Sequence, residues 1–210
     1  MPRLLPLFPL QLVVFPGGTA PLHIFEERYR EMVGEAEARG TEFGIVRTIA
    51  RDDENGIANT GCTVTVESVV QRYSDGRFDV VTRGHRRFQI LSLDEEKAYL
   101  RGSVEFFDDE ATDEVPGELL KQAREAQERL RRELGKSSDT TDTPVHDLSF
   151  HLAEAIDDLD FRSLILQCRS EAERLRLYVK FTSDYIPRKQ YTEHMQKKAP
   201  TNGSGHKRVI

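Results

Sequence analysis

The hydrophobic period of this chain changes once, and the change divides its 210 residues into two kinds of structure. Up to Phe107 the apolar residues fall in short alternating runs. Cys62-Thr63-Val64-Thr65-Val66-Glu67 alternates, and Arg87 to Leu93 puts Phe88 and Ile90 on one side. A period of two is that of a strand with one packed face. From Glu118 the period is helical: Leu119, Leu120, Ala123, Ala126, Leu130 and Leu134 share one face over residues 118–134. Between the two lies EFFDDEATDEVPGE, residues 105–118, rich in carboxylates and without a basic side chain. Such a stretch belongs in solvent at a boundary. The expected organisation is α+β: a β-rich region over 1–115, a helical region over 116–190 and a flexible tail over 191–210.

Local signals fill in the elements. In Leu4 to Phe15, Pro6 and Pro9 cannot donate to a sheet ladder. The productive strand is therefore expected around Val13, or at an edge. Pro16-Gly17-Gly18 marks a turn. Tyr29, Met32, Val33 and Ala36 give residues 25–39 one apolar helical face, with Gly40 as its C-terminal cap. Further strands are expected over 43–48, 62–67, 78–82, 87–93 and 99–107. RDDENG at 51–56 reads as a loop, and Asp75-Gly76 as the tip of a hairpin. Several short strands and a single helix suggest a strongly curved sheet or a small barrel, which removes exposed edges. In the helical half, a short helix over 147–157 is centred on Leu152 and Ile156. Asp160 is expected to cap the next, and Ser170 with Glu173 forms a capping box for the last.

Composition excludes several classes. The net charge is −6, with 36 acidic and 30 basic side chains, which argues against a nucleic-acid binder. Cys62 and Cys168 make neither a disulfide framework nor a metal motif. A chain of this size needs no staples and suits a reducing compartment, so a cytoplasmic location is expected. The apolar N-terminus is broken by Pro6, Pro9 and Pro16, and reads as structure rather than a signal peptide. No apolar run approaches the length of a membrane span. His146 and His151 are five apart with no HExxH or Cys pair, so neither metal nor cofactor is expected.

Read in order, LPLFPL, VVFPGGTAPLHIFEERYREMV, FGIV, GCTVTVE and DGRFDVVTRGHRRFQI resemble the LON substrate-binding domain. This is the amino-terminal domain of the Lon proteases, which also occurs alone. The resemblance covers roughly residues 4–184. Thr60-Gly61 and Gly84 to Phe88 carry it in the second half of the β-region. Leu164-Ile165-Leu166 and Glu173-Arg174-Leu175 carry it among the helices. Where that family often has a basic residue and glutamine before the apolar run, this chain has Arg162 and Ser163. The resemblance implies a twisted β-barrel of the PUA-like kind followed by a C-terminal helical bundle. It also implies a role in recognition rather than hydrolysis.

The search for chemistry agrees with that role. GxxxxGK[ST] is absent, and the residues after 184 are too few for an ATPase or peptidase domain. Ser183 lies three residues after Lys180 but reads as part of a polar helix face. The expected activity is non-catalytic binding of unfolded clients or adaptor proteins, in the service of a separate ATP-dependent protease, by a monomer or weak dimer. The alternatives are an RNA-binding PUA-like module and a small hydrolase. Candidate binding residues are His23, Phe25 and Tyr29 in the PLHIFEERY stretch, with Arg83, His85, Arg86 and Arg87. The basic segment suits an acidic peptide or phosphate, or forms a salt-bridged rim with Glu26 or Glu27. A groove between the sheet and the helices, walled by Phe8, Phe15, Phe25, Tyr29 and Phe43, is the expected place for a polypeptide.

Overall fold

The computed structural model describes residues 4–51, 54–110, 114–136 and 144–198. Six strands come first: β1 (Leu5–Leu10), β2 (Thr19–Ile24), β3 (Phe43–Arg51), β4 (Glu54–Arg72), β5 (Phe78–Asp94) and β6 (Arg101–Phe106). Helix α1 (Glu27–Arg39) lies between β2 and β3. Four helices follow the sheet: α2 (Gly117–Leu134), α3 (Leu148–Glu154), α4 (Leu159–Gln167) and α5 (Glu171–Lys198).

The strands form one six-stranded mixed sheet in the order β2-β5-β4-β3-β1-β6. This corrects the expected twisted β-barrel. β2 has β5 as its only strand neighbour and leaves a sheet edge, which a closed barrel does not have. The β1–β3 pair is parallel and the other pairs are antiparallel. The expectation failed on strand length. β4 has 19 residues and β5 has 17, so 78–82 and 87–93 belong to one strand, not two. The first half of β5 pairs with β2 and β4, and its second half pairs with β6. Register shifts near Cys62, Val66, Val69 and Ile90 accommodate the bend. Of the loop expected over 51–56, Arg51 and residues 54–56 instead belong to the β3–β4 pairing, and Asp52 and Asp53 lie outside the described residues.

β1 contains both prolines, and the strand expected around Val13 is instead an irregular segment. Alternate backbone groups of a strand point to opposite neighbours. Leu7 donates its N–H to Leu100 O at 2.8 Å, on the β6 side. Pro9 shares that side, beyond the last β1–β6 pair, so no donor is needed there. Pro6 faces β3 just before the β1–β3 pairing begins at Leu7. The prolines occupy the two places where a ladder bond is not required.

One apolar cluster runs from the sheet into the helices. It contains Phe15, Phe43, Val64 and Val80 together with Leu130, Leu152, Ile165 and Tyr178. Phe15 stacks on Phe150 of α3 at 5.4 Å. A smaller cluster of Leu7, Val46 and Phe88 fills the turn of the sheet beneath β6.

Most helix ends follow the local signals. Gly40 ends α1 at φ 60° and Gly135 ends α2 at φ 64°, the left-handed conformation that glycine adopts freely. Ser170 Oγ accepts the Glu173 N–H at 3.1 Å and opens α5. The cap of α4 is Asp158, which accepts the Phe161 N–H at 2.9 Å, rather than Asp160. Asp160 instead pairs with Arg47 of β3. α5 continues through Pro187 to Lys198.

Candidate functional site

The basic segment Arg83 to Arg87 lies on β5 beside Gly84. Arg83 donates to Glu67 at 2.6 Å and to the Gly17 carbonyl at 3.1 Å. His85 Nε2 lies 2.8 Å from Thr65 Oγ1. Arg86 bonds Glu42 at 2.6 Å and lies over the Phe106 ring. Glu26 is paired with Arg28, not with this segment. Each arginine of the segment therefore has a carboxylate partner within the chain. Exposed pairs of this kind add little stability.

Arg87 is different: its side chain is 4% exposed. It donates to the carbonyls of Leu166 and Cys168 and to Asp109. Asp109 also receives Arg174 of α5, whose side chain has no exposed surface. Arg174 bonds Glu171 and Ser149 Oγ as well, at 2.6 and 2.7 Å. The result is a buried polar hub joining the sheet, the segment after β6, and helices α3 and α5. Burial pushes the Glu171 carboxyl up, against its bonds from Ser149 and Arg174. Burial also acts on the partly open Asp109, but Arg174 and Arg87 together hold its carboxyl below the usual range. Sequence reasoning missed this hub. The available signal was that Glu171 and Arg174 fall on the same helical stripe as the core residue Tyr178.

The junction of sheet and helices is not an apolar groove. Phe8, Phe15 and Phe43 are buried in the core. The cavity that opens there, of about 750 Å³, is lined by Arg83 to Arg87, Asp108, Asp109 and His146 together with Pro16 and Phe150, so its wall is mixed in polarity.

The remaining candidates meet elsewhere. Just before α1, Phe25 is 58% exposed while Tyr29 is 7% exposed. Tyr29 stacks on Phe8 with ring centres 4.0 Å apart. His23 stacks loosely on Phe25 at 5.9 Å. Its Nδ1 lies 2.5 Å from Asp79, and Tyr73 donates to the other oxygen of Asp79 at 2.7 Å. These residues border a cleft of about 510 Å³ with Phe8, Leu10, Tyr29, Ile57 and Leu100 on its walls and Glu26 and Arg28 at its rim. The structure thus brings His23, Phe25 and Tyr29 together and places the arginine segment apart from them. A second cleft, of about 460 Å³, lies between residues 4–6, α1 and Phe106.

The Ser183 hydroxyl donates to the Lys180 carbonyl of its own helix at 2.7 Å. Among the described residues no group of His, Cys, Asp and Glu could hold a metal ion. Nor, among those residues, is any helix long and apolar enough to cross a membrane. Fold and clefts are those of a binding module built on a mixed sheet with a helical flank.

Comparison with known proteins gives that module its family. Residues 4–181 match the family described as the ATP-dependent protease La (LON) substrate-binding domain. A Lon N-terminal domain protein from Xanthomonas campestris superposes with a TM-score of 0.65 and 26% identity, over 83% of this chain and 95% of that one. The N-terminal domain of a Mycobacterium avium complex Lon protease shares the fold, with a TM-score of 0.60 and 21% identity, over 88% of this chain and 100% of that one. A Lon protease from Anaeromyxobacter dehalogenans is 28% identical over 74% of this chain but only 20% of its own length. Lon protease 2 of Myxococcus xanthus is 27% identical with the same coverage. The chain therefore spans about a fifth of these curated relatives. It belongs to the LON substrate-binding domain family, and as such it is a protein-binding module.

The family's helical signature also has a physical reading here. Arg162 donates to the Val13 carbonyl at 2.8 Å, and Ser163 accepts from Arg47 at 3.1 Å. Ser163, where the resemblance led to the expectation of glutamine, bonds to β3 through Arg47.

Proposed function

We propose that this chain captures extended segments of unfolded clients or adaptor proteins in the cleft beside α1, in the service of an ATP-dependent protease. The observation that carries this reading is Phe25. A phenylalanine 58% exposed at the lip of an apolar cleft is the arrangement of a contact surface. Scattered exposed aliphatics elsewhere on the surface need no such account. The cleft walls are carbon-rich, and its rim carries one acid and one base, Glu26 and Arg28, bonded to each other. That chemistry suits an apolar side chain of a polypeptide better than an anion or an RNA backbone. The arginines of β5, the alternative RNA-facing feature, are occupied by Glu67, Glu42 and Asp109. Free Cys62 and Cys168 suit a reducing compartment such as the cytoplasm.

The test is binding of a fluorescent, reduced and alkylated polypeptide, followed by anisotropy. Phe25→Ala is expected to weaken capture about tenfold, the effect of removing one aromatic anchor. Equal affinity of wild type and Phe25→Ala would remove the cleft from consideration.

A further inference from the structure

The cleft carries one polar feature that apolar capture alone does not use. His23 and Asp79 are directly paired across β2 and β5. Asp79 accepts from His23 Nδ1 at 2.5 Å and from the Tyr73 hydroxyl at 2.7 Å. The His23 contact, followed by the Tyr73 bond, holds the Asp79 carboxyl below its ordinary range. An ionised carboxylate can only accept, so Nδ1 carries a proton whether the ring is neutral or charged. The tautomer of the neutral ring is thereby fixed, and its lone pair sits on Nε2. Among the described residues Nε2 has no hydrogen-bond partner, and the His23 side chain is 45% exposed at the cleft border.

We infer that His23 Nε2 is the polar contact of the cleft, accepting a main-chain N–H from an extended polypeptide whose apolar side chain rests against Phe25. This rests on the polypeptide-binding reading above. A main-chain amide is the natural donor because every polypeptide carries it, so an apolar cleft gains orientation without gaining sequence selectivity. His23 also lies on the strand at the sheet edge, where an approaching chain meets no further strand. Tyr73 and Asp79 act as positioning residues: they set the tautomer and hold the ring against Phe25. Protonation of the ring turns Nε2 from an acceptor into a donor, and the amide contact is lost. The charged or titratable groups around the ring are Asp79 and Tyr73, which touch it, Arg77 and Asp75, which act on those two from the β4–β5 hairpin, and Glu26 and Arg28 in the lining of the same cleft. Ordinary carboxylate and guanidinium groups do not change charge near neutral pH.

The experiment uses the full chain and a tetramethylrhodamine-labelled peptide of alternating Leu and Ser with blocked ends, in which neither label nor side chain titrates near neutral pH. Anisotropy is read at constant ionic strength from about pH 5.5 to about pH 8.5, spanning the imidazole range. Wild-type affinity is expected to rise about fivefold towards high pH, the worth of one net hydrogen bond. His23→Phe keeps the ring and removes both nitrogens. It should bind about fivefold more weakly at high pH and show no pH dependence. His23→Gln supplies a carbonyl that does not titrate, so its binding should be flat with pH, and it serves if His23→Phe does not fold. Thermal melts at each pH check folding. A pH-independent wild type, or the wild-type slope persisting in both variants, overturns the role of His23. If Phe25→Ala still weakens binding in that case, the polypeptide reading stands without it. No binding of the peptide by wild type at any pH overturns both.

Discussion

Arg174 grips Asp109 with two nitrogens: Nη1 lies 2.7 Å from Oδ1 and Nη2 lies 2.5 Å from Oδ2. This pair fastens α5 to the segment that leaves the sheet, and Arg87 meets the same carboxylate from β5. Fully buried charges are tolerated only when paired and hydrogen-bonded, and removing one partner leaves the other uncompensated. Arg174 retains Glu171, Ser149 and the Cys168 carbonyl if Asp109 is lost. Arg87 retains two carbonyls and the rings of Phe107 and Phe150, but no bonded carboxylate among the described residues.

Asp109→Asn is therefore expected to destabilise the fold by about 3 kcal/mol, the lower end for a broken buried pair. Urea unfolding measures it. The pH dependence has a definite sign. The folded carboxyl is held below its ordinary value of 3.8. The stability it contributes is present above that value and is lost as pH falls through the lowered folded value. Wild type should lose stability in that acid window more steeply than Asp109→Asn. Parallel curves would show that Asp109 is not part of the linkage.

Two glycines of the family-like signature are fixed by the close approach of other atoms rather than by turns. A Cβ on Gly61 would stand 2.5 Å from Phe88 Cζ and 2.6 Å from the Ile45 carbonyl. A Cβ on Gly84 would run into the Phe15 carbonyl. At both sites a backbone oxygen blocks the methyl group and cannot rotate away. Gly61→Ala is expected to cost about 2 kcal/mol, within the range for overpacking. Gly84→Ala should cost at least as much. Gly34→Ala is the control: nothing lies within 4 Å of its Cβ position, and better helix propensity makes it neutral or stabilising. Thermal melts of the three variants would show whether this order holds.

The same contrast explains what could be read from the chain before its fold was known. Local chemistry was legible. Asp75-Gly76 turns the β4–β5 hairpin with Gly76 at φ 87°, and Gly40 ends α1. The pairing of β1 with β3 and β6 was not, because backbone ladders between distant segments leave no periodic trace in side chains. Pro6 and Pro9 argued against a strand only on the assumption that both edges of β1 are bonded throughout. For the clefts, the cluster Arg83 to Arg87 was legible as basic, but its partners Glu42, Glu67 and Asp109 come from other elements. The helix was expected to begin at Phe25. α1 begins at Glu27, so Phe25 precedes the helix and turns outward while Tyr29 packs inward.

Cysteine reactivity offers a third prediction. Burial pushes the Cys62 thiol up to about 12 and leaves it without exposed surface. The thiolate is the reactive form, so Cys62 should be silent to a thiol reagent until the chain unfolds. Cys168 is partly exposed and should react first. One fast thiol per native chain and two in urea is the expected count for these two free cysteines. Two fast thiols in the native state would contradict the packing of β4.

A final prediction separates binding from folding at the cleft. Phe25 is mostly exposed and lies outside α1, so Phe25→Ser removes little buried surface. Surface changes of this kind stay within about 0.5 kcal/mol. Tyr29 is stacked on Phe8, and Arg28 lies 4.6 Å from its ring centre. Tyr29→Ala empties that stack and should cost about 3 kcal/mol, as large-to-small changes in cores do. If the cleft is a contact surface, Phe25→Ser weakens polypeptide capture while its urea midpoint matches wild type. Tyr29→Ala shifts the midpoint first, and any loss of binding follows from lost structure. The pair of measurements distinguishes an exposed aromatic kept for contact from one held in place by the fold. A destabilised Phe25→Ser would assign Phe25 to the second kind.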